Sequence, residues 1–413
     1  MKYSPELIRQ LEDPEYAKKA DEYERQARSK HKSKAVSEKV VEEKPRQAKS
    51  VQTEDVVVGR RAAKKQAQKK SKKYKINYKI VLRNVAIVCL VFIVGVCGVV
   101  WSLTGTFDRQ DTSKADFGIS EKAAKELKGY RNIAIFGTDG RADESYDVSR
   151  TDAIIVLSFE KLTGDLKMIS IMRDSYFKFE YFDGTMILDK VTHANVYGGA
   201  VNTCAAINRS LDLNIDEYVM FNWKAVSDAV DTLGGIEINV KESELRDLNK
   251  WGPETAENVG GTFKEVTEPG KQTLDGVQAT TYCRIRKTSG GDSGRTSRYK
   301  KVVVATIKKA ITQPGKLKDL SENVFPNIRT NLTQKDILTL MPLVLRMDME
   351  SGISWPKEYY AGLLSDGVAY VVPITLESEV KRLHKKAFEQ KNYQLSEEAA
   401  AINEEIIWST GIQ

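Results

Sequence analysis

Apolar positions divide this chain into three regimes. Residues 1–50 alternate charges with few large apolar side chains, so no core can form there. From Val85 to Leu103 the sequence reads VAIVCLVFIVGVCGVVWSL, nineteen residues without one charge. A helix of that length rises about 28 Å, close to the hydrocarbon thickness of a bilayer. The run is apolar on every face, which predicts a membrane span over 80–103 rather than a buried core helix. It also begins too far from residue 1, and runs too long, for a cleaved signal peptide. Beyond it the apolar runs are short and separated by turn residues.

Those short runs predict an α/β domain. Residues 104–128 read as a polar linker ending in a helix, with Ser120 before an AAKEL run and Gly129 as its stop. Strands are predicted at 132–136 (NIAIF), 153–159 (AIIVLSF) and 166–172 (LKMISIM). The last two are joined by a hairpin turn at 161–165. Helices are predicted at 202–211, 222–233, 275–282, 294–311, 336–345 and 376–388. Gly234-Gly235 ends the second, and a strand follows at 236–240. The interspersed order implies one domain over 129–390, a central mixed β-sheet flanked by helices. A helical tail follows at 391–413.

Charge changes the picture. Residues 1–83 hold 24 Lys and Arg against 12 Asp and Glu, and the remainder holds 40 against 45. The overall charge of +7 therefore hides a basic arm (1–79) on a mildly acidic body. Lys69, Lys70, Lys72, Lys73, Lys75, Lys79 and Arg83 crowd the N-terminal flank of the apolar run. The other flank carries Asp108, Asp111 and Asp116 against Arg109 and Lys114. By the positive-inside rule the arm is cytoplasmic and the body lies outside the membrane. The stretch RRAAKKQAQKKSKKYK suits either anionic lipid headgroups or nucleic acid. Its place beside the span favours lipid, and no folded nucleic-acid reader accompanies it. Cys89 and Cys97 fall in the span. A Cys204–Cys283 disulfide is allowed by the compartment but not indicated by spacing. No Cys–His zinc pattern is present, and three histidines (His31, His193, His384) exclude a His-rich metal site.

Candidate chemistry sits at the predicted strand ends. Tyr282-Cys283-Arg284-Ile285-Arg286 is followed by Gly291-Asp292-Ser293-Gly294-Arg295 and Arg298. The guanidinium fork matches phosphate oxygens two at a time. On an extended strand Arg284 and Arg286 would share a face, and the glycine-rich run would turn Arg295 and Arg298 back toward them. Gly137-Thr138-Asp139-Gly140-Arg141 follows the first strand, Ser149-Arg150-Thr151-Asp152 precedes the second, and Arg173-Asp174-Ser175 leaves the third. Any one pair is more often a surface salt bridge, but four sets at the edge of one sheet point to a polyanion. Arginines neutralise a diphosphate, whereas aspartates reach it through a divalent cation, with Asp139 and Asp152 as the best Mg²⁺ ligands. With no GxxxxGK[ST] sequence, a nucleoside triphosphate is not the expected substrate.

In this order, over about residues 130–312, the motifs resemble the LytR–CpsA–Psr family. Its pattern of G-T-D-x-R, S-R-T-D, P-R-D, K-x-x-x-A-x-x-x-G-G, L-G-G, Y-x-R-x-R and G-D-x-G-R-x-x-R is met at 137–141, 149–152, 173–174, 190–199, 233–235, 282–286 and 291–298. Met172 replaces the usual proline, and Tyr299 stands where glutamine is common. The resemblance implies a phosphotransferase that moves an anionic glycopolymer, of teichoic acid or capsule type, from a polyprenyl diphosphate carrier to peptidoglycan. It implies Asp139 and Asp152 as Mg²⁺ ligands, and Arg141, Arg173 and Arg295 as catalytic groups. Arg141, Arg150, Arg173, Arg284, Arg286, Arg295 and Arg298 would contact the diphosphate, with structural salt bridges the alternative for Arg150 and Arg298. Asp174 would orient Arg173. His193 is either a general base or a buried structural histidine. The lipid groove would lie along 201–211 or 223–233, faces that core packing explains equally well. A lipid-diphosphate hydrolase and a membrane-bound regulator are the alternative functions.

Overall fold

The computed structural model describes residues 104–140, 144–285, 291–344 and 352–413. The arm and the span expected at 80–103 lie outside these residues. Among the described residues no helix is long and apolar enough to cross a membrane.

The chain enters with a two-residue strand, β1 (Asp108–Arg109), and a short helix, α1 (Glu121–Glu126), whose first turn is capped by the Ser120 hydroxyl. Three apolar strands follow: β2 (Tyr130–Thr138), β3 (Thr151–Glu160) and β4 (Leu166–Ile171). The hairpin of β5 (Tyr176–Glu180) and β6 (Met186–Lys190) leads to α2 (Ala194–Leu211). Next come β7 (Ile215–Phe221), α3 (Trp223–Thr232), β8 (Ile236–Val240) and α4 (Glu242–Val259). They are followed by β9 (Gly270–Leu274), α5 (Gly276–Arg284) and the long α6 (Gly291–Thr312). The last third adds α7 (Leu317–Asn323), β10 (Ile328–Thr330), α8 (Gln334–Val344) and β11 (Ile353–Trp355). It closes with the hairpin β12 (Tyr359–Leu363) and β13 (Ala369–Pro373), then α9 (Leu376–Ala387) and α10 (Glu397–Thr410).

Seven strands make one mixed sheet in the order β1-β10-β7-β2-β3-β4-β11. Its centre is buried on both faces, which is why β2 and β3 read as continuous apolar runs rather than alternating ones. On one side Ala134, Phe136, Ile154 and Val156 pack with Cys204, Ile207 and Leu211 of α2. On the other, Ile133, Ile135, Ile155 and Leu157 pack with Val304 of α6 and Leu340 of α8. Each Val, Leu, Ile or Phe among them contributes about 1.5–3 kcal/mol by leaving water. The β2–β3 ladder shifts register at its end: Gly137 pairs with Ala153, but Thr138 pairs with Thr151. Asp152 is thus the extra residue of a β-bulge, a device that redirects a side chain at the end of a ladder.

The structure corrects several expectations. Residues 104–128 are part of the domain: β1 pairs with β10, and Phe117 and Leu127 enter the main core. The expected tail is likewise packed in, with Ile402 and Ile406 of α10 in that core. The helix expected at 202–211 begins at Ala194, broken at Gly198 and Gly199, where Gly199 has φ 67 and ψ −165. That backbone region is reserved in practice for glycine. Both Cys204 and Cys283 are free and buried, and burial pushes both thiols up.

His384 of α9 is fully buried, stacks on Tyr393 at 3.6 Å and bonds the Leu211 carbonyl at 2.9 Å through Nε2. Burial holds its pKa below the ordinary 6.5. Below pH 6.5 the unfolded chain therefore takes up a proton that the folded one resists. Stability attributable to this ring is intact above pH 6.5 and declines as pH falls toward the depressed folded value. The melting temperature of the wild type should drop more between pH 7 and 5 than that of His384→Gln. Equal drops would remove His384 from the acid response.

Candidate active site at the ends of β2 and β3

The bulge puts the Asp152 carboxylate among cations, where its side chain is 4% exposed. Arg173, two residues past β4, donates from Nη1 to Asp152 Oδ1 at 2.5 Å. Arg295, near the start of α6, brings Nη1 to 3.9 Å from Asp152 Oδ2. Arg173 Nε lies 3.4 Å from Asp174 Oδ2, and Lys190 Nζ lies 3.8 Å from Asp174 Oδ1. The result is an alternating chain of five charges, Arg295, Asp152, Arg173, Asp174 and Lys190, with a cation at each end. Burial, and then the Asp152 charge, push the Tyr299 phenol well above its usual range, so it stays neutral behind the chain.

An open cavity of about 320 Å³ lies at the same strand ends, lined by Asp139 and Arg150. Asp139, Ser149 and Arg150 line one side, and Trp223, Glu254, Asn258 and Arg284 the other. Asp139 accepts from the Arg150 amide at 2.9 Å and from its Nε at 3.1 Å. The Arg150 side chain stays 54% exposed, so its remaining donors face solvent. Arg284 is the last residue of α5 and is held on three sides. It donates to Thr255 Oγ1 at 2.7 Å and Glu254 Oε1 at 2.6 Å, and lies 4.2 Å over the Trp223 ring.

Of the expected site residues, the cavity gathers Asp139, Arg150 and Arg284, while the buried cluster beside it gathers Asp152, Arg173 and Arg295. Asp174, expected to orient Arg173, lies within ion-pair distance of its guanidinium. Arg141 and Arg286 lie outside the described residues. Arg284 is helical rather than on an extended strand, and the glycine-rich run opens α6 instead of forming a turn. Arg295, 3% exposed, serves Asp152 from within rather than lining the cavity. Arg298 is corrected from diphosphate contact to structural anchor. It bonds Glu244 Oε1 at 2.8 Å and the Ile285 carbonyl at 2.9 Å, with both side chains of the pair buried. A buried cation needs such a partner, and spacing alone does not reveal which arginine has one. His193 is not buried: its ring is 27% exposed and bonded to Asp189. The 201–211 face is core, leaving no groove there, whereas Trp223 does line the cavity. Glu254 and Asn258 were missed because they lie off the face of α4 that buries Leu248, Ala256 and Val259, so no apolar signal marks them. Their four-residue spacing on one helix face was the available signal.

Asp139 and Asp152 fit a Mg²⁺ ion by donor chemistry. They are hard carboxylates at neighbouring strand ends, and Mg²⁺ takes one or two such groups with phosphate oxygens completing the shell. Among the described residues no cluster of three or more His, Cys, Asp or Glu forms an all-protein cage. Both carboxylates also hold a guanidinium. A dication there meets positive charge unless phosphate accompanies it, so the fit is to metal and polyphosphate together.

A sequence profile of the LytR_cpsA_psr family matches residues 100–386. Among curated proteins, the polyisoprenyl-teichoic acid–peptidoglycan teichoic acid transferase TagT of Bacillus subtilis is 29% identical over 234 residues, 54% of this chain and 69% of TagT. TagU of the same organism, named for the same activity, is 33% identical over 221 residues, 52% of this chain and 65% of TagU. Among solved structures, protein gbs0355 of Streptococcus agalactiae superposes with a TM-score of 0.53 at 24% identity, covering 67% of this chain and 93% of that one. TagT bound to LI-WTA gives 0.50 at 26% identity, covering 67% and 95%.

The contrast between Arg298 and Arg150 is measurable by urea unfolding. Arg298→Ala leaves Glu244 charged and buried and should cost about 3–5 kcal/mol. Arg150→Ala removes an exposed pair and should cost about 0–1 kcal/mol. Similar midpoints for the two variants would remove the buried anchor from the account of this fold.

Proposed function

The chain belongs to the LytR_cpsA_psr family, and on that premise we propose that it transfers an anionic glycopolymer, teichoic acid or a capsule-like polymer, from a polyprenyl diphosphate carrier to peptidoglycan. The observation that carries the reading is the convergence of Arg150, Arg173 and Arg295 with Asp139 and Asp152 at one edge of the sheet, beside an open cavity. In the reaction an acceptor hydroxyl oxygen bonds to the glycopolymer-bearing phosphorus, and the bond from that phosphorus to polyprenyl phosphate breaks. Arg150 offers solvent-facing donors to phosphate oxygens, and Arg173, 17% exposed beside Asp152, is the second fork. Arg295 raises the local potential from behind Asp152. Arg141 and Arg286 belong to the same motifs and join them as proposed diphosphate contacts. Asp139 and Asp152 would hold Mg²⁺, which when bound supplies charge neutralisation at the bridging and leaving oxygens. The proposal includes a single membrane span with the arm in the cytoplasm, where its lysines meet anionic lipid and not nucleic acid, and with the domain outside.

The test uses the full chain in detergent with a radiolabelled polyprenyl diphosphate-linked glycopolymer and insoluble peptidoglycan. Label should move to the peptidoglycan, with loss of transfer on adding a chelator. Asp139→Ala should lower turnover about 10²–10³-fold while melting near the wild type, because its ion pair is largely at the surface. Soluble labelled product, equal with and without peptidoglycan, would establish hydrolysis instead.

Orientation is tested separately. Protease added to intact protoplasts should digest the part after residue 104 and spare the arm. Protection of that part would overturn the membrane topology.

A further inference from the structure

A second acidic–basic pair stands beside the charge chain and has no part in it so far. His193 Nδ1 lies 2.8 Å from Asp189 Oδ2. Asp189 is held in turn by the Lys190 amide, which donates to its Oδ1 at 2.6 Å. The ring is 27% exposed, and its Nε2 has no hydrogen-bond partner among the described residues. A neutral imidazole that donates Nδ1–H to a carboxylate presents a lone pair at Nε2. That is the arrangement of a base with its orienting group.

Flanking residues fix where this ring sits. Thr192 donates from Oγ1 to the Thr151 carbonyl at 2.9 Å and from its amide to the Arg173 carbonyl at 3.0 Å. Asn195 donates from Nδ2 to the carbonyls of Tyr146 at 2.6 Å and Ser149 at 2.7 Å. His193 therefore lies between two grips on the segment 149–151, whose middle residue is the Arg150 that holds Asp139. Asp152 follows that segment directly. Lys190, on the residue after Asp189, is the terminal cation of the charge chain. The pair is thus anchored to the same strand end as the proposed diphosphate site, one residue removed from its backbone.

We propose that His193 is the general base for the acceptor and that Asp189 is its positioning residue. The inference rests on the transfer reading above and assigns its acceptor as a sugar hydroxyl. As that oxygen bonds to phosphorus, its proton passes to His193 Nε2. The electron pair of the breaking bond leaves on polyprenyl phosphate, and the imidazolium then returns its proton to solvent. Base assistance of this kind is worth about 10²–10⁴-fold in rate.

The experiment measures the full chain in detergent with the same labelled donor and peptidoglycan. Donor binding is read separately, as the rise in melting temperature on adding the polyprenyl diphosphate glycolipid. His193→Ala should lower kcat by about 10²–10⁴-fold and keep both the KM for donor and the donor-induced rise. Added imidazole should restore at least about tenfold of the lost turnover, because a free base can fill the vacated place. Asp189→Asn should lower kcat with donor binding intact, and Asp189→Glu should recover part of the loss. Transfer by His193→Ala within threefold of wild type overturns the proposal. So does a loss that imidazole leaves unchanged and that removes the donor-induced rise as well, since that marks a structural histidine. A wild type that binds donor but transfers nothing overturns the transfer reading itself, an outcome separate from either of these.

Discussion

A carboxylate taken out of water has to be answered by positive charge, and Asp152 sets that requirement for the whole site. It sits on the central strand pair, at a bulge, with its side chain 4% exposed. Leaving such a group unpaired costs several kcal/mol. Arg173 and Arg295 meet the demand from two elements far apart in sequence, the exit of β4 and the start of α6. Two cations on one anion leave local positive charge, which Asp174 only partly offsets because Lys190 adds to it. A sheet edge built this way is prepared for a polyanion before one arrives, which is the preorganisation that phosphate chemistry exploits.

The cavity wall is held by contacts of long range. The turn at 146–148 is pinned from below by the Tyr146 hydroxyl, which donates to the Asn327 carbonyl at 2.5 Å. Arg329 of β10 reaches both Asp108 and Asp147 at 2.7 Å and lies over the Tyr146 ring. Asn195 grips the same turn from α2. The opposite wall is a stack of Trp223, Arg284 and Glu254 drawn from three helices. None of these long-range contacts involves the ion pair between Asp139 and Arg150, which is tied to the wall by its own backbone bonds.

How much of this was legible follows the physics of each signal. Strands β2, β3 and β4 could be read because burial on both faces leaves uninterrupted apolar runs. Helix α3 and the glycine pair after it could be read from cap chemistry, Asn222 before and Gly234-Gly235 after, both glycines at positive φ. Asp139, Asp152 and Arg173 stood out because they end those strands. What could not be read was depth. Arg150 and Arg298 look alike in sequence, yet one is more than half exposed and the other is sealed against Glu244. Strand β7 carries Asp216 and Glu217 beside its buried positions, which masks its period. The residues before β2 and after α9 look like linker and tail because their apolar residues are few. Yet Phe117, Leu127, Ile402 and Ile406 enter the core, while Trp408 stays 69% exposed.

Asp212 joins those two outlying segments on one side chain. It ends α2 in the left-handed region, with φ 52, and is almost completely buried. Its Oδ1 accepts from the Ser120 hydroxyl at 3.3 Å and its Oδ2 from the Ser396 amide at 2.7 Å. The cap of α1 and the cap of α10 therefore meet at a single carboxylate although they are separated by most of the domain. In topological terms one carboxylate closes two loops at once, back to residue 120 and forward to residue 396, so the two outlying helices are held or released together.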